Sequence, residues 1–299
     1  MRDHGKGWAV ADTARTARSM WTLFEPIHAV TYFAPQARSA FEQAGLRGFW
    51  RGYFAGRAAP LGPVGAAVVT ASFFNFAPAF VARAVPGVWS LISPDEALAV
   101  RVAGAAEALS GLFAGLESQA AAGADLLWRA AGDLDCPGRV LAAANVALPE
   151  PGAGSASAIG RLWQAATLLR EHRGDGHFAA LTAADLDGCE ALVLRCGLDL
   201  RREDTQPVRG WTDEQWDAAQ HRLAGRGLIG SDGKLTADGL DLHAAVEDAT
   251  DRAAARPWAR LGEQATAELA AVLTPLAQAC ATVMPSPSPI GVPAPGSMS

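Results

Sequence analysis

Long apolar runs are missing from this 299-residue chain, although half of its residues are hydrophobic. The segment that comes closest, residues 58–92, is interrupted by these residues: Pro60, Pro63, Asn75, Pro78, Arg83 and Pro86. A membrane-spanning helix needs about 20 consecutive apolar residues. The first twenty residues also lack the continuous apolar core of a secretory signal peptide. We therefore expect a cytoplasmic protein without a membrane partner.

Lysine is almost absent as well, since Lys6 and Lys234 are the only two and arginine supplies the other positive charges. The net charge of -6 argues against a large nonspecific nucleic-acid surface, because binding to phosphates requires clustered cations. A small basic face remains possible. The four cysteines form neither a CxxC motif nor a pair with histidine, which predicts buried free thiols and no metal site. No cofactor is identified by the sequence.

What is abundant is alanine, leucine and valine, and this bias favours packed helices. The clearest boundary is the segment PEPGAGSASA at residues 149–158. It predicts an N-terminal helical and aromatic domain over 1–148 and a C-terminal helical domain over 159–284. The Pro/Ser/Gly-rich tail, 285–299, is predicted to be disordered.

A winged helix is predicted within the C-terminal domain, over residues 204–245. Thr212 caps a helix that ends at Gly227, and a short hairpin follows it. The hairpin is predicted in this order: strand Leu228-Ile229, turn Ser231-Asp232-Gly233, strand Lys234-Leu235, then Thr236 as the cap of the next helix. The predicted fold class is therefore mainly α with small β-wings.

The order of helix, RGLI, wing and LTxxG resembles the MarR-type winged helix. More closely, the chain resembles an actinobacterial family of helix-turn-helix proteins over most of residues 15–283. That resemblance rests on the segments EPIHAVTYFAP, RGYFAGRAAPLG, FFNFAP, LLREHRGDGH and RGWTDEQW. It implies a fold rather than an activity. A weak internal echo, HAVTYFAP from His28 and HFAALTAA from His177, adds the possibility of two similar halves.

DNA binding by this winged helix is disfavoured by its charges. Asp213, Glu214 and Asp217 occupy the first turns of the helix in the recognition position, where phosphates would repel them. The wing offers Lys234 against Asp232 and lacks the Asp-Arg-Arg element of MarR-type wings. A degenerate module used for packing or dimerisation is favoured, and contact with DNA is the alternative.

The densest chemical cluster is REHRGDGH at residues 170–177, which we interpret as a loop. Its imidazoles and carboxylates are the candidate catalytic groups: Glu171, His172, Asp175 and His177. Arg173 is a candidate ligand-binding residue. The spacing of the two histidines is not that of a helical zinc pair, and no HExxH motif occurs. The alternative is that these residues form surface ion pairs and helix caps.

A second polar set lies among the aromatic residues of the N-terminal half. The candidate ligand-binding residues there are His28, Tyr32, Arg51, Tyr53, Arg57 and Asn75. Arginines beside aromatic rings suit an anionic or planar ligand, through bidentate hydrogen bonds and stacking. The alternative is an aromatic core whose polar groups are satisfied internally.

The favoured function is a small-molecule-binding protein, either a sensor or an enzyme of specialised metabolism. Both polar sets would line one pocket between the two halves. In that pocket His172 or His177 would transfer protons, and Arg57 would anchor an anionic group. The alternatives are a MarR-like transcription regulator that binds an operator as a homodimer, and a scaffold without ligand chemistry.

Overall fold

A computed structural model describes residues 10–151, 155–285, 288 and 291–295. Most of these residues are helical, which confirms the prediction of a mainly α fold. The helices are α1 (Val10–Phe33), α2 (Pro35–Gln43), α3 (Phe49–Ala58), α4 (Ala66–Phe73), α5 (Pro78–Ala82), α6 (Pro94–Leu112), α7 (Glu117–Ala131), α8 (Val140–Val146), α9 (Ser155–Ala183), α10 (Gly188–Cys196), α11 (Arg202–Arg209), α12 (Asp213–Gly225), α13 (Ala237–Ala253), α14 (Arg256–Leu261) and α15 (Glu263–Ala281). Short 3₁₀ turns cover Ala59–Leu61 and Gly87–Ser90.

The segment REHRGDGH is not a loop, because it lies in the interior of α9. Gly174 and Gly176 lower helix propensity by about 1 kcal/mol each, so local preference argues against this helix. Burial along α9 outweighs that preference. Packing around Gly176 is also tight, since a Cβ there would lie 2.7 Å from Nη1 of Arg139 and 3.1 Å from the Cβ of Ala253, so Arg139 would have to shift.

The predicted β-wing is reduced to a tight turn. Among the described residues no strand forms, and one isolated antiparallel bridge joins Ile229 to Leu235. Gly230 N–H donates to the Lys234 carbonyl at 2.8 Å, which closes the turn. The prediction of two strands is wrong here because Thr236 caps α13 directly after the bridge, so no residues are left to extend the pairing.

The first hydrophobic core is built around α1 and α9, which pack against each other. Helices α6 and α7, from the first half of the chain, pack on α9. Helices α13 and α15, from the second half, pack on α1 in the same way. The predicted boundary at 149–158 overlaps the first turn of α9, and this core contains residues from both sides of it.

Two further cores lie on either side of α1 and α9. The N-terminal cluster contains stacked and edge-on rings, including Phe54, Phe73, Phe76 and Phe80. The C-terminal cluster packs α10 and α12 around Trp216. Trp211, between α11 and α12, packs against both clusters.

No helix in the described part of the chain is both long and apolar enough to cross a membrane. Residues 1–9 and 152–154 lie outside the described residues, and so do 286–287, 289–290 and 296–299 of the predicted tail. Within the described part of that tail, Gly291 lies against the guanidinium of Arg195.

Candidate functional site

A cavity of about 500 Å³ opens between the N-terminal and C-terminal clusters. This volume is within the range of small-molecule sites. Its walls come from α1, α3 and the end of α4 on one side, and from α9, α10, α11 and α13 on the other. The aromatic wall residues are Trp21, Tyr32, Phe33, Phe49, Trp50, Tyr53, Phe73, Phe76 and Phe178, and the charged or ionisable ones are Glu25, Arg57, Arg170, Arg173, His177, Arg195, Arg209 and Glu247.

Helix α9 presents one face to this cavity. Arg170, Arg173, Gly174, His177 and Phe178 line it, and their spacing of three and four residues places them along one side of a helix. The residues between them point to other neighbours. The helical form of this segment therefore decides which of its polar groups face the cavity.

Glu171 lies behind this face and binds two arginines. Its carboxylate accepts from Arg57 at 3.3 and 3.4 Å and from Nη1 of Arg170 at 2.7 Å. Arg170 also pairs with Glu25, with 3.5 Å between Nε and Oε1. Burial opposes the ionisation of Glu171, but the two guanidiniums outweigh it and lower its pKa to about 2. The cluster is thus neutral overall, with two positive and two negative groups.

A second neutral cluster forms around Arg173, one helical turn further along α9. Arg173 pairs with Asp251 at 2.8 Å and with Glu247 at 3.6 Å. Arg18 pairs with the same two carboxylates. The guanidinium carbon of Arg173 lies 4.8 Å from the ring centroid of Trp21, so this charge also stacks on the aromatic wall.

His177 faces the cavity as a neutral ring. Its Nδ1 lies 2.9 Å from the hydroxyl of Thr250, and that hydroxyl donates its hydrogen to the Val246 carbonyl at 2.8 Å. Nδ1 must therefore carry the proton and donate it, which leaves a lone pair on Nε2. No described residue makes a hydrogen bond to that Nε2. Burial lowers the pKa of His177 to about 4, so Nε2 is an acceptor at neutral pH.

Asn75 is held at the cavity wall by an unusual turn. Phe74 has φ 57°, rare for a bulky residue, and Asn75 N–H donates to the Phe73 carbonyl at 2.7 Å across it. The indole of Trp211 donates to the Asn75 carbonyl at 2.9 Å. Gly188 allows the Phe74 carbonyl to approach, since a Cβ there would lie 2.1 Å from that oxygen. The Asn75 side-chain oxygen is buried without a hydrogen-bond partner.

Arg209 is a wall residue that the sequence analysis did not select. Its guanidinium carbon lies 4.9 Å from the Phe76 ring centroid. Its one side-chain hydrogen bond within the described residues is a long one, 3.5 Å, to the Val208 carbonyl. No described carboxylate lies within ion-pair distance of it. The only signal in the sequence was its place in the segment RGWTDEQW, which was used for family resemblance alone.

The predicted site residues are partly brought together. Six of the eleven line the cavity: Tyr32, Tyr53, Arg57, Asn75, Arg173 and His177. Glu171 and His28 lie behind the wall, on a much smaller cavity of about 10 Å³. The Thr167 hydroxyl donates to the Trp163 carbonyl, so it accepts a hydrogen bond from Nδ1 of His28 at 2.9 Å. Nε2 of His28 is then unprotonated and accepts a hydrogen bond from the Tyr32 hydroxyl, also at 2.9 Å. Burial holds the pKa of His28 well below its usual value.

The other three residues lie elsewhere. Asp175 accepts from the backbone N–H of Ala142 at 2.9 Å and so caps α8, and burial raises its pKa to about 6. His172 is turned away from the cavity, and its carbonyl accepts from Arg139. Arg51 is exposed on α3. Within the described residues, no three His, Cys, Asp or Glu side chains are grouped closely enough to hold a metal ion.

Comparison with known proteins identifies the family. The model of a helix-turn-helix family matches residues 17–285, nearly the whole chain. The protein belongs to this helix-turn-helix family. Searches of curated proteins and of solved structures found no match. The finer resemblances, to MarR-type proteins and to an actinobacterial group, remain predictions.

Two helices of this helix-turn-helix protein are joined by a three-residue turn, since α11 ends at Arg209 and α12 begins at Asp213. Gly210 in the turn has φ 74°, and a Cβ there would lie 2.3 Å from the Cβ of Phe80. The same pair of helices therefore contributes Arg209 to the cavity wall and packs on the N-terminal cluster.

The exposed face of α12 is acidic, and its nearby cations are already bound. Arg202 pairs with Asp213 at 2.8 Å and Asp217 at 3.0 Å. Arg222 pairs with Asp187 at 2.6 Å and Glu190 at 2.7 Å. Arg226, at the C-terminal end of α12, donates to the backbone carbonyls of Asp185 and Ala184 and has no carboxylate partner among the described residues. The first turns of α12 therefore offer no free guanidinium to phosphates.

Proposed function

We propose that this helix-turn-helix protein binds a small organic molecule in the cavity between its two clusters. The supporting observation is the 500 Å³ cavity, whose aromatic walls carry hydrogen-bonding groups without protein partners. A buried polar atom left unsatisfied costs about 1 to 3 kcal/mol, so a pure scaffold gains nothing from keeping Asn75 in this position. A ligand that supplies a hydrogen-bond donor removes that cost when it binds.

The packing of the core supports the idea of two similar halves. In our proposal α1 corresponds to α9, α6 to α13 and α7 to α15, because α6 and α7 of the first half pack on α9, and α13 and α15 of the second half pack on α1. The cavity then lies between two degenerate winged-helix units. Such a scaffold serves a sensor as well as an enzyme of specialised metabolism.

If the protein is an enzyme, His177 is the proposed proton-transfer residue. Its Nε2 lone pair lies at the cavity wall, and the hydrogen bond to Thr250 fixes the ring in that orientation. His172 does not line the cavity, and Arg57 is already bound to Glu171 and Tyr53. Proton transfer is therefore not assigned to His172, nor anion binding to Arg57.

The proposal is tested with a neutral fluorescent probe, 1-anilinonaphthalene, whose emission rises in apolar surroundings. Gly174 lies in the cavity wall, and the nearest atoms to a Cβ there are at 3.8 and 3.9 Å. Gly174→Leu should place a side chain in the cavity and abolish binding, whereas Gly174→Ala should retain most of it. Equal binding by the two variants, or no binding by the unmodified protein, contradicts the proposal.

DNA binding is the second candidate, favoured by the family and by the three-residue turn between α11 and α12. Its test is selection of bound sequences from a random pool of duplex DNA at physiological salt. We expect no enrichment, because carboxylates hold Arg202 and Arg222, backbone carbonyls hold Arg226, and DNA affinity depends on cations that are free to meet phosphates. Enrichment of one sequence, lost on deletion of the Lys234 charge, would establish DNA binding instead.

A further inference from the structure

The charges on the cavity wall balance except at one residue. Arg57 and Arg170 are matched by Glu171 and Glu25, and Arg173 shares two carboxylates with Arg18. Arg195 has its own partner in Asp199, at 2.8 and 2.9 Å. Among the arginines that line the cavity, Arg209 alone has no carboxylate partner in the described part of the chain. The wall therefore carries one unbalanced positive charge.

The guanidinium of Arg209 lines the same part of the cavity as two hydrogen-bond acceptors that have no partner among the described residues. A side chamber of about 90 Å³ adjoins the main cavity, and the residues that line both spaces are Asn75, His177, Arg195, Arg209 and Glu247. Asn75 offers its unpartnered Oδ1, and His177 offers Nε2. Arg195 is paired with Asp199, and Glu247 with Arg18 and Arg173. The unpaired groups at the junction are thus one cationic donor, Arg209, and two acceptors.

We propose that the ligand is an aromatic monoanion that also carries an N–H or O–H donor. Its anionic group binds the guanidinium of Arg209, its donor meets Oδ1 of Asn75, and its ring lies against the aromatic wall. This assignment rests on the proposed function, because it specifies the ligand class of the same cavity.

The other wall groups restrict the ligand to a single charge. A second anionic group would face Glu25 or Glu247, and a cationic ligand would face Arg209. Arg57 is a poorer anchor than Arg209, because an anion bound there would compete with Glu171 for the same buried guanidinium. Arg209 is free to form a charge-assisted pair without breaking an existing one.

The test compares two probes that share one scaffold and one free N–H: 5-anilinonaphthalene-1-sulfonate, an anion, and 1-anilinonaphthalene, its neutral counterpart. The unmodified protein should bind the anion about tenfold or more tightly than the neutral probe. Arg209→Gln should remove that preference while leaving the affinity for the neutral probe unchanged. Arg51→Gln, at an exposed site outside the cavity, is the matched control and should keep the preference.

Several outcomes overturn the assignment. Equal affinities of the two probes for the unmodified protein would overturn it. This comparison needs no variant, so the assignment can be tested even if Arg209→Gln fails to fold. An anion preference that persists in Arg209→Gln but disappears in Arg195→Gln assigns the anchor to Arg195 instead. Absence of binding, or binding insensitive to Gly174→Leu, contradicts the proposed function itself. Equal binding that Gly174→Leu blocks contradicts the anion assignment alone.

Asn75 has its own test, because its removal changes no charge. Asn75→Leu should weaken both probes by a similar factor, about three- to tenfold, since both carry the N–H that the amide oxygen accepts. The preference for the anion should remain. Unchanged affinities for both probes would overturn the role of Asn75, and loss of the anion preference would overturn the division of roles between Asn75 and Arg209.

Discussion

At the scale of single residues, the buried charge of Glu171 supports two arginines at once. Glu171→Gln would leave Arg57 and Arg170 without their shared carboxylate, and removal of one partner from a buried ion pair costs about 3 to 5 kcal/mol. We expect a loss of that size in the free energy of unfolding, measured with denaturant. Asp125→Asn, which breaks an exposed pair with Arg161, is the control and should change stability by less than about 1 kcal/mol.

The pH dependence of that contribution has a definite sign. The pKa of Glu171 is about 2 in the folded protein, below its ordinary value of 4.5. The stability that it contributes is therefore present above pH 4.5 and is lost as the pH falls towards 2. A Glu171→Gln variant that loses as much stability in acid as the unmodified protein would contradict this account.

The lowered pKa of His177 predicts a loss of stability at a higher pH than the loss caused by Glu171. Its pKa falls from 6.5 in the unfolded chain to about 4 in the folded protein. Between pH 6.5 and pH 4 the unfolded chain therefore binds a proton at His177 that the folded protein does not. The contribution of His177 to stability should decrease by about 1 to 2 kcal/mol as the pH falls from 7 to 5, and His177→Gln should remove that part of the decrease. His28 and His172, whose pKa values burial also lowers, add to the total decrease in every variant. Asp175, whose pKa of about 6 lies above its ordinary 3.8, acts in the opposite direction. Asp175→Asn should therefore make the decrease steeper, and an identical pH profile in all three proteins would exclude both assignments.

At the scale of elements, two of the three glycines in α9, Gly174 and Gly176, have opposite surroundings. Gly174 has open space beside it, so Gly174→Ala should raise the free energy of unfolding by up to about 1 kcal/mol through helix propensity. Gly176→Ala should lower it, because the new Cβ would meet Arg139, which is held by the carbonyls of His172 and Ala253. Thermal melts of the two variants check the prediction. Equal shifts would mean that Arg139 moves aside freely.

At the scale of the whole molecule, the shared core predicts one cooperative unfolding transition. Trp163 on α9 and Trp258 on α14 lie in the same cluster as residues of α1, α6 and α7. Neither side of residues 149–158 can expose its part of this core without exposing the other. Tryptophan fluorescence and far-UV circular dichroism should therefore give coincident unfolding curves, and two separated transitions would indicate independent domains.

Several features follow directly from the sequence because their causes are local. Alanine-rich helices, the capping box of Ser93 with Glu96, and the cap at Thr212 each depend on neighbours within a few residues. The shared cavity was also predictable in part. The polar residues of REHRGDGH and those among the N-terminal aromatic residues both had hydrogen-bonding groups without an obvious local partner. Six of the predicted residues line that cavity.

Tertiary structure decided the rest. The segment REHRGDGH is helical because it is buried, although its two glycines disfavour a helix. Helix geometry then places His177 at the cavity wall and turns His172 away from it. The unbalanced charge of Arg209 depends on which carboxylates come within about 4 Å of each arginine after folding. No property of the Arg209 segment itself distinguishes it from the paired arginines, because ion pairs such as Arg57 with Glu171 join residues more than a hundred positions apart.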